Sequence, residues 1–120
     1  MEIIFCLIFE VTRAEEIASN LRIAACRLGL DPDCIGVLSR GDSTLRGHYP
    51  AETNAIARGM GWKNPATIIA PFFFEGGRLT AHDIHYVTDG EKLNPASETE
   101  FARDKAFGYS NSNLKVFLQF

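Results

Sequence analysis

A continuous apolar run near the start of the chain constrains the fold more than any other feature. Residues Glu2–Val11 are apolar apart from Glu2 and Glu10 and are rich in Ile and Phe, with an unbroken apolar run over Ile3–Phe9. A strand buried on both faces of a parallel sheet has this pattern, whereas a half-exposed strand alternates apolar and polar residues. The run is too short to cross a bilayer, and no cleavable signal pattern surrounds it. We therefore expect a buried parallel strand in a cytoplasmic protein with no membrane partner.

The residues after this strand have a helical pattern. Thr12 and Glu15 have the spacing of a capping box, and Gly29 can adopt the left-handed conformation that ends a helix. Between them, apolar residues recur at helical spacing at Ile17, Leu21, Ala24, Ala25 and Leu28. The pattern predicts a helix over Arg13–Leu28. A short buried strand at Cys34–Leu38 would complete a strand–helix–strand unit.

The middle of the chain continues this alternation of helix and strand. Pro50 at the first turn of a helix predicts a second helix over 51–57, ending near Gly59 and Gly61. The apolar segment Ala66–Pro71 predicts a third buried strand.

Two local signals follow in the last part of the chain. The tetrapeptide Thr88–Glu91 contains an Asp-Gly pair, which favours a tight hairpin between Ile84–Val87 and Lys92–Leu93. Ser112 is a candidate cap for a helix over Leu114–Phe120.

These elements predict an α/β fold: a mostly parallel sheet flanked by helices in three layers, with an added β-hairpin. We expect residues 1–120 to form a single, incomplete domain, because the chain starts in a strand and ends on the apolar residues of 116–120. Self-association into a homo-oligomer would also cover such edges.

Composition excludes several classes of partner. The net charge of -3 and the pI near 5.6 argue against nucleic acid and against anionic membranes, because both are bound through clustered excess Lys and Arg. Three cysteines lack the paired spacing of a zinc site or a disulfide framework, so we expect them to be reduced and packed as small hydrophobes. His82 and His85 share no ligand pattern with a cysteine, so we expect no metal site.

The segment Ser39–His48 concentrates groups that bind small anions. It contains two arginines, one aspartate, three hydroxyl side chains and two glycines. An arginine can donate two parallel hydrogen bonds to a carboxylate, hydroxyls can complete its shell, and glycines let backbone N–H groups approach. These properties suit a small polyhydroxylated acid. The candidate binding residues here are Arg40 or Arg46 for the carboxylate, Ser43 and Thr44 for oxygens, and Gly47, with Asp42 as hydroxyl acceptor and candidate general base.

A second, weaker candidate segment follows the predicted third strand. Gly76, Gly77, Arg78 and Thr80 again pair flexible backbone with a guanidinium and a hydroxyl. The sequence contains neither the phosphate-binding Gly-Lys-Ser/Thr pattern nor the dinucleotide Gly-x-Gly-x-x-Gly pattern. The alternative for both segments is an ordinary loop whose polar groups bond the local backbone and form surface ion pairs.

The string Asp42-Ser43-Thr44-Leu45-Arg46-Gly47 resembles the four-carbon acid sugar kinase family. So do Phe74–Thr80, the stretch Glu98–Asp104 and the later residues Phe107-Gly108-Tyr109 and Ser112-Asn113-Leu114. The resemblance covers the chain from Thr12 onward. It implies a two-domain kinase that transfers phosphate from ATP to the terminal hydroxyl of acids such as threonate, erythronate or 3-oxo-tetronate.

In that family, the first domain holds the sugar acid and a second, C-terminal domain binds ATP. The resemblance makes Asp42, Ser43, Thr44, Arg46 and the pair Gly77-Arg78 substrate contacts. The sequence lacks the acidic Asp-Asp-x-Thr-Gly-Ala segment that opens the family pattern, and it lacks the nucleotide domain. We therefore expect ATP and Mg²⁺ to be bound by the complete kinase, not by this chain, which should be inactive alone.

Two other hypotheses remain open. The chain could be a stand-alone binding module for small hydroxy acids, because both candidate segments are intact. It could also be a non-functional remnant whose fold is held by oligomerisation.

Overall fold

The computed structural model describes residues 4–7 and 11–118. These residues form two compact units: the first contains the described residues up to Arg40 with His48–Thr67, and the second contains Gly41–Gly47 with the residues from Ile68 onward. The helices and strands are β1 (Ile4–Leu7), α1 (Val11–Arg27), β2 (Gly36–Ser39), α2 (Ala51–Met60), β3 (Arg78–Ala81), β4 (Ile84–Asp89), β5 (Lys92–Pro95) and α3 (Leu114–Phe117). The single partial domain expected over 1–120 stays a prediction.

Helix α1 of the first unit ends where the sequence predicts. Gly29 has a φ of 70°, its N–H donates to the Cys26 carbonyl, and the Leu30 N–H donates 2.9 Å to the Ala25 carbonyl. This is the paired hydrogen bonding of a Schellman end. The helix begins at Val11, one residue before Thr12, so Thr12 lies inside the first turn and does not cap it.

Helix α2 packs tightly against α1. A Cβ on Gly59 would overlap the Glu15 carbonyl oxygen and lie 2.7 Å from the Ala18 Cβ, so only glycine allows this approach. Gly61, with a φ of 74°, ends the helix as predicted. The apolar core of the unit consists of Ala14, Ala18, Ala25, Ile35, Ala55, Ile56 and Met60, and the side chain of Glu52 on α2 is also buried.

The strand–helix–strand order is confirmed, but β2 is not the buried strand that the sequence predicts, since Leu38 is 53% exposed. Strand β1 pairs in parallel with β2, with Ile4 opposite Gly36 and Leu7 opposite Ser39. β2 starts two residues later than predicted, because Pro32–Cys34 form a 3-10 turn capped by the Asp31 carboxylate. Residues 2–3 and 8–10 of the predicted first strand lie outside the described residues, and Val11 belongs to helix α1 instead.

The predicted third strand is wrong. Residues 66–71 form no strand, and Ile68 is 91% exposed. Pro65 and Pro71 bracket this segment, and a proline has no N–H to donate to a sheet ladder. Among the described residues the larger sheet is antiparallel, in the order β3-β4-β5. The chain is a mixed α/β protein, but the mostly parallel three-layer arrangement is not supported.

The predicted hairpin is confirmed in the second unit. β4 and β5 are antiparallel, with Asp89 opposite Lys92, and Gly90 takes the positive φ of 59° that the turn needs. On β4, His85 and Val87 are buried on one face.

The cap predicted at Ser112 is wrong. Asn113 caps α3 by accepting from the Lys115 N–H at 2.9 Å. The buried Ser112 hydroxyl instead accepts from the Ser97 N–H and donates to the Ser97 hydroxyl. Position 113 is therefore the helix boundary, one residue later than expected.

Two findings bear on the expected chemistry of the chain. Within the described ranges, no helix is long and apolar enough to cross a membrane. Cys26 and Cys34 are free thiols, but both are exposed, so the expectation that they pack as small hydrophobes is wrong for these two.

Candidate functional site

The loop Gly41–Gly47 is organised around the carboxylate of Asp42. Its Oδ2 accepts from the Arg46 Nε at 2.6 Å and also from the Thr44 hydroxyl. The Leu45 N–H closes the turn on the Asp42 carbonyl at 3.3 Å, and Leu45 takes a positive φ of 67°. The loop thus holds an acceptor, a hydroxyl and a guanidinium within hydrogen-bonding distance of one another.

The electrostatics of Asp42 follow from these contacts. Partial burial opposes ionisation, but the hydrogen bonds from Arg46 and Thr44 outweigh it and lower the pKa of Asp42 below its ordinary value of 3.8. Asp42 is therefore a carboxylate near neutral pH, able to accept a hydrogen bond from a ligand hydroxyl.

Arg46 is held by two carboxylates. Besides Asp42, its NH1 lies 3.5 Å from the Asp104 Oδ2. The Asp104 Oδ1 is itself bonded to the N–H groups of Ala106 and Phe107, and these bonds, with Arg46, lower the pKa of Asp104. The side chain of Arg46 is thus fixed in direction from both sides.

Arg78, at the start of β3, has a different environment. Among the described residues, no carboxylate lies within 4.0 Å of its guanidinium, and its buried Nε has no hydrogen-bond partner. Its NH1 donates to the Gly76 carbonyl. Arg78 is therefore a half-buried cation with donor capacity left over.

The ring of Phe101 lies close to both guanidinium groups. The Cζ of Arg46 lies 5.3 Å from the centroid of the Phe101 ring, and the Cζ of Arg78 lies 5.2 Å from it. Two like charges converge on one aromatic ring, whose negative face attracts both. We call Asp42, Thr44, Arg46, Arg78, Phe101 and Asp104 the arginine cluster.

His85 lies beneath the loop and is fully buried. Its Nδ1 is 2.9 Å from the Thr80 hydroxyl, and its Nε2 is 2.6 Å from the Ser43 carbonyl oxygen. Burial is the main cause that lowers the pKa of His85, and the positive charge of Arg78 lowers it further. The ring is therefore neutral at pH 7.

The charges of the arginine cluster also affect the pKa of Tyr109. Burial is the main cause that raises the pKa of Tyr109 to about 12, and the charge of Asp42 adds to the effect. Its hydroxyl lies 3.4 Å from the Ala96 carbonyl oxygen. The phenol therefore stays protonated and can act only as a neutral group.

The structure brings together part of the predicted set. Asp42, Thr44, Arg46 and Arg78 lie in the arginine cluster. Ser43 contributes its carbonyl to His85, and Thr80 contributes its hydroxyl. Arg40 is exposed and belongs to the first unit, so it is not part of the cluster.

The three predicted glycines have local structural reasons to be glycine. A Cβ on Gly76 would overlap the Phe73 ring, and one on Gly77 would overlap the Thr88 hydroxyl. Gly47 has open space around it but a φ of 146°, which disfavours any side chain. Their roles as ligand contacts stay predictions.

Sequence reasoning missed Phe101, Asp104 and the role of His85. His85 contacts a residue 42 positions away, so no local motif contains the pair. A signal did exist for His85, since its alternation with Val87 on a predicted hairpin strand places it on the inward face. For Phe101 and Asp104 the signal was the family resemblance of the stretch Glu98–Asp104, which contains both residues but does not indicate their role.

Other parts of the described chain bring together fewer groups that could bind a ligand. A shallow groove on α1 is lined by Asn20, Ile23, Ala24, Arg27 and Leu28, without converging charges. Across residues 4–7 and 11–118, no three His, Cys, Asp or Glu side chains are grouped to hold a metal ion.

Comparison with known proteins identifies the family of the segment that contains this cluster. A family model described as a sugar-binding N-terminal domain matches residues 11–119. The chain belongs to the sugar-binding N-terminal domain of the four-carbon acid sugar kinase family. The matched range contains the whole arginine cluster, so the family assignment and the site refer to the same residues. Among curated proteins, none matches the sequence.

A solved structure shares the fold. It is a domain of unknown function (DUF1537) from Bordetella bronchiseptica, crystallised with bound citrate as a domain-swapped dimer. It matches with a TM-score of 0.63 and 23% sequence identity over 92% of this chain. This chain spans 25% of the length of that protein.

Proposed function

We propose that this chain is the acid-binding part of an ATP-dependent kinase that phosphorylates four-carbon acid sugars of the threonate, erythronate or 3-oxo-tetronate type. One observation carries the proposal: Arg78 is a half-buried guanidinium with an unpartnered Nε–H, next to an Arg46 that is already neutralised. Burying an unpaired cation is costly, so the site favours an anion.

The different environments of the two arginines support Arg78 as the partner of the ligand carboxylate. Asp42 and Asp104 both bind Arg46, as an ordinary self-satisfied loop would. That alternative accounts for Arg46 but not for Arg78. We therefore assign the ligand carboxylate to Arg78, whereas Arg46 stays paired with Asp42 and Asp104.

The polyol end of the ligand then lies near Asp42 and Thr44. A carboxylate can accept a hydrogen bond from a substrate hydroxyl, which orients its oxygen for attack on a phosphoryl group. In phosphoryl transfer the oxygen–phosphorus bond to the substrate forms, the bond to ADP breaks, and the hydroxyl proton passes to a base. Asp42 is our candidate for that base.

ATP and Mg²⁺ belong, in this proposal, to a C-terminal domain of the complete cytoplasmic kinase, and this chain alone is inactive. Citrate bound to the solved relative supports a small hydroxy acid as ligand. That relative is also a domain-swapped dimer, which supports self-association of this chain. Sedimentation should show a concentration-dependent dimer, and a monomer at every concentration would contradict that part.

The carboxylate assignment can be tested by calorimetric titration of the full chain with erythronate and threonate. We expect binding of at least one acid, weakened about tenfold or more by Arg78→Met, because a charge-assisted hydrogen bond contributes about 1.5–3 kcal/mol. Arg103→Met is the matched control, since Arg103 is an exposed arginine of the same unit outside the cluster.

Erythritol, the uncharged polyol of the same length, provides the ligand control. It lacks the carboxylate, so it should bind far more weakly than erythronate to the wild-type chain. Equal binding of erythritol and erythronate, or equal losses in the Arg78 and Arg103 variants, would overturn the assignment.

A further inference from the structure

His85 makes two hydrogen bonds that connect the sheet of the second unit to the Asp42 loop. Its side chain is 0% exposed, so each ring nitrogen needs a partner inside the protein. Nδ1 meets Thr80, its direct cross-strand neighbour, and Nε2 meets the Ser43 carbonyl at 2.6 Å. Both requirements are satisfied by a single ring orientation.

The identity of the partners fixes the tautomer of His85. A carbonyl oxygen only accepts, so Nε2 must carry the hydrogen that is donated to Ser43. In the neutral ring Nδ1 then has a lone pair, so the single hydroxyl hydrogen of Thr80 is shared between this lone pair and the Pro71 carbonyl oxygen, which lies 3.1 Å from the hydroxyl. The Thr80 hydroxyl, predicted as a ligand contact, is thus engaged with the histidine.

We propose that His85 is a positioning residue for the acid-binding loop. The Ser43 carbonyl belongs to the peptide plane that it shares with Thr44, so fixing the carbonyl fixes the direction of the Thr44 backbone. The Thr44 hydroxyl in turn contacts Asp42 and accepts from the Arg46 Nε at 3.1 Å. The consequence for ligand affinity rests on the proposed function, whereas the consequence for loop order does not.

Two conservative substitutions separate positioning from packing. A glutamine amide reaches about as far as Nε2, so His85→Gln keeps a donor for the Ser43 carbonyl. An asparagine amide reaches only as far as Nδ1, so His85→Asn keeps the Thr80 contact and loses the donor to the loop. Both remove the imidazole ring, so a purely structural role predicts a similar loss of thermal stability in the two variants.

The test measures amide hydrogen exchange at Leu45 in the ligand-free chain, together with erythronate affinity. We expect exchange at Leu45 to be about tenfold faster in His85→Asn than in His85→Gln, the equivalent of one hydrogen bond of about 1.4 kcal/mol. Erythronate affinity should fall by a similar factor in His85→Asn and stay near wild type in His85→Gln.

The outcomes distinguish the two hypotheses. Equal exchange in both variants would overturn the positioning role. The expected difference in exchange, combined with no acid binding by the wild-type chain, would support positioning and contradict the proposed function. If both histidine variants fail to fold, Thr80→Val against Thr80→Ser tests the same connection from an exposed residue. Faster Leu45 exchange in Thr80→Val alone supports positioning, and identical exchange contradicts it.

Discussion

The two compact units bury different kinds of side chain. The first packs α1 against α2 mainly through alanines, isoleucines and Met60; among its described residues Glu52 is the one buried polar side chain, and its Oε1 has no hydrogen-bond partner. The second buries Thr44, His85 and Ser112 among a few small apolar residues, and each of these three polar side chains is hydrogen-bonded. Apolar contacts depend mainly on volume, whereas hydrogen bonds depend on the position of each atom.

This contrast indicates where the fold tolerates substitution. An apolar core accepts substitutions that conserve volume. A buried polar network does not, because the loss of one partner leaves another group unsatisfied. The first unit should therefore behave as a scaffold, and the second as a site whose geometry is held by specific atoms.

The largest effect should come from the apolar unit. Met60 is 2% exposed, so Met60→Ala leaves a cavity and should lower the free energy of unfolding by about 3 kcal/mol. Urea unfolding followed by the fluorescence of Trp62, which packs against this core, measures it. Met60→Leu conserves volume and should lower the free energy of unfolding by less than about 1.5 kcal/mol. Equal losses of stability in Met60→Ala and Met60→Leu would contradict the view that volume decides the stability of this core.

A smaller effect should follow from a hydroxyl in the polar unit. Thr44→Val conserves shape but removes the contacts to Asp42 and Arg46, and should cost about 1–2 kcal/mol. Thr44→Ser keeps the hydroxyl and should remain close to wild type. Amide exchange in β4 reports the change, and a Val variant as stable as the Ser variant would show that volume, not hydrogen bonding, matters here.

Acid should act on the polar unit in a defined direction. Because the folded pKa of Asp42 is below 3.8, its carboxylate stabilises the fold above about pH 4, and this contribution is lost as pH falls through the folded pKa. Asp42→Asn should be less stable at neutral pH and should lose less stability on acidification. Urea unfolding of both proteins across this pH range measures the difference. If the stabilities of the wild type and of Asp42→Asn fall in parallel with pH, the prediction is contradicted. The partly exposed ion pair makes this a modest effect.

The smallest effect should come from the aromatic ring of the cluster. Phe101→Leu keeps an apolar side chain but removes the ring face that attracts Arg46 and Arg78. Erythronate affinity should fall about twofold to fivefold, as expected for loss of about 0.5–1 kcal/mol of cation–π attraction. Phe101→Tyr should preserve affinity, and a Leu variant as tight as Tyr would assign Phe101 a packing role only.

The same contrast explains what the sequence could predict. Both helices of the first unit and the hairpin of the second follow from local periodicity and from glycines at Gly29, Gly61 and Gly90. The segment 66–71 misled because an apolar run indicates burial only when the backbone can also pair, and two prolines bracket it. Whether such an apolar run forms a buried strand depends on its tertiary contacts.

The candidate site divides in the same way. The density of polar groups in Ser39–His48 found Asp42, Thr44 and Arg46, because they lie within one loop. It included Arg40, which is outside the cluster, and it missed Phe101 and Asp104, which approach Arg46 from far along the chain. Composition predicts which groups a site offers, but not which of them already neutralise one another.

The central claim is that Arg78 receives the carboxylate of a four-carbon acid. Nuclear magnetic resonance of the arginine Nε–H groups during titration with erythronate tests it directly. We expect the Arg78 signal to shift most, the Arg46 signal to shift less and the Arg103 signal not to shift. A titration in which Arg78 stays unshifted while another arginine responds, or in which all arginines shift alike, would contradict it.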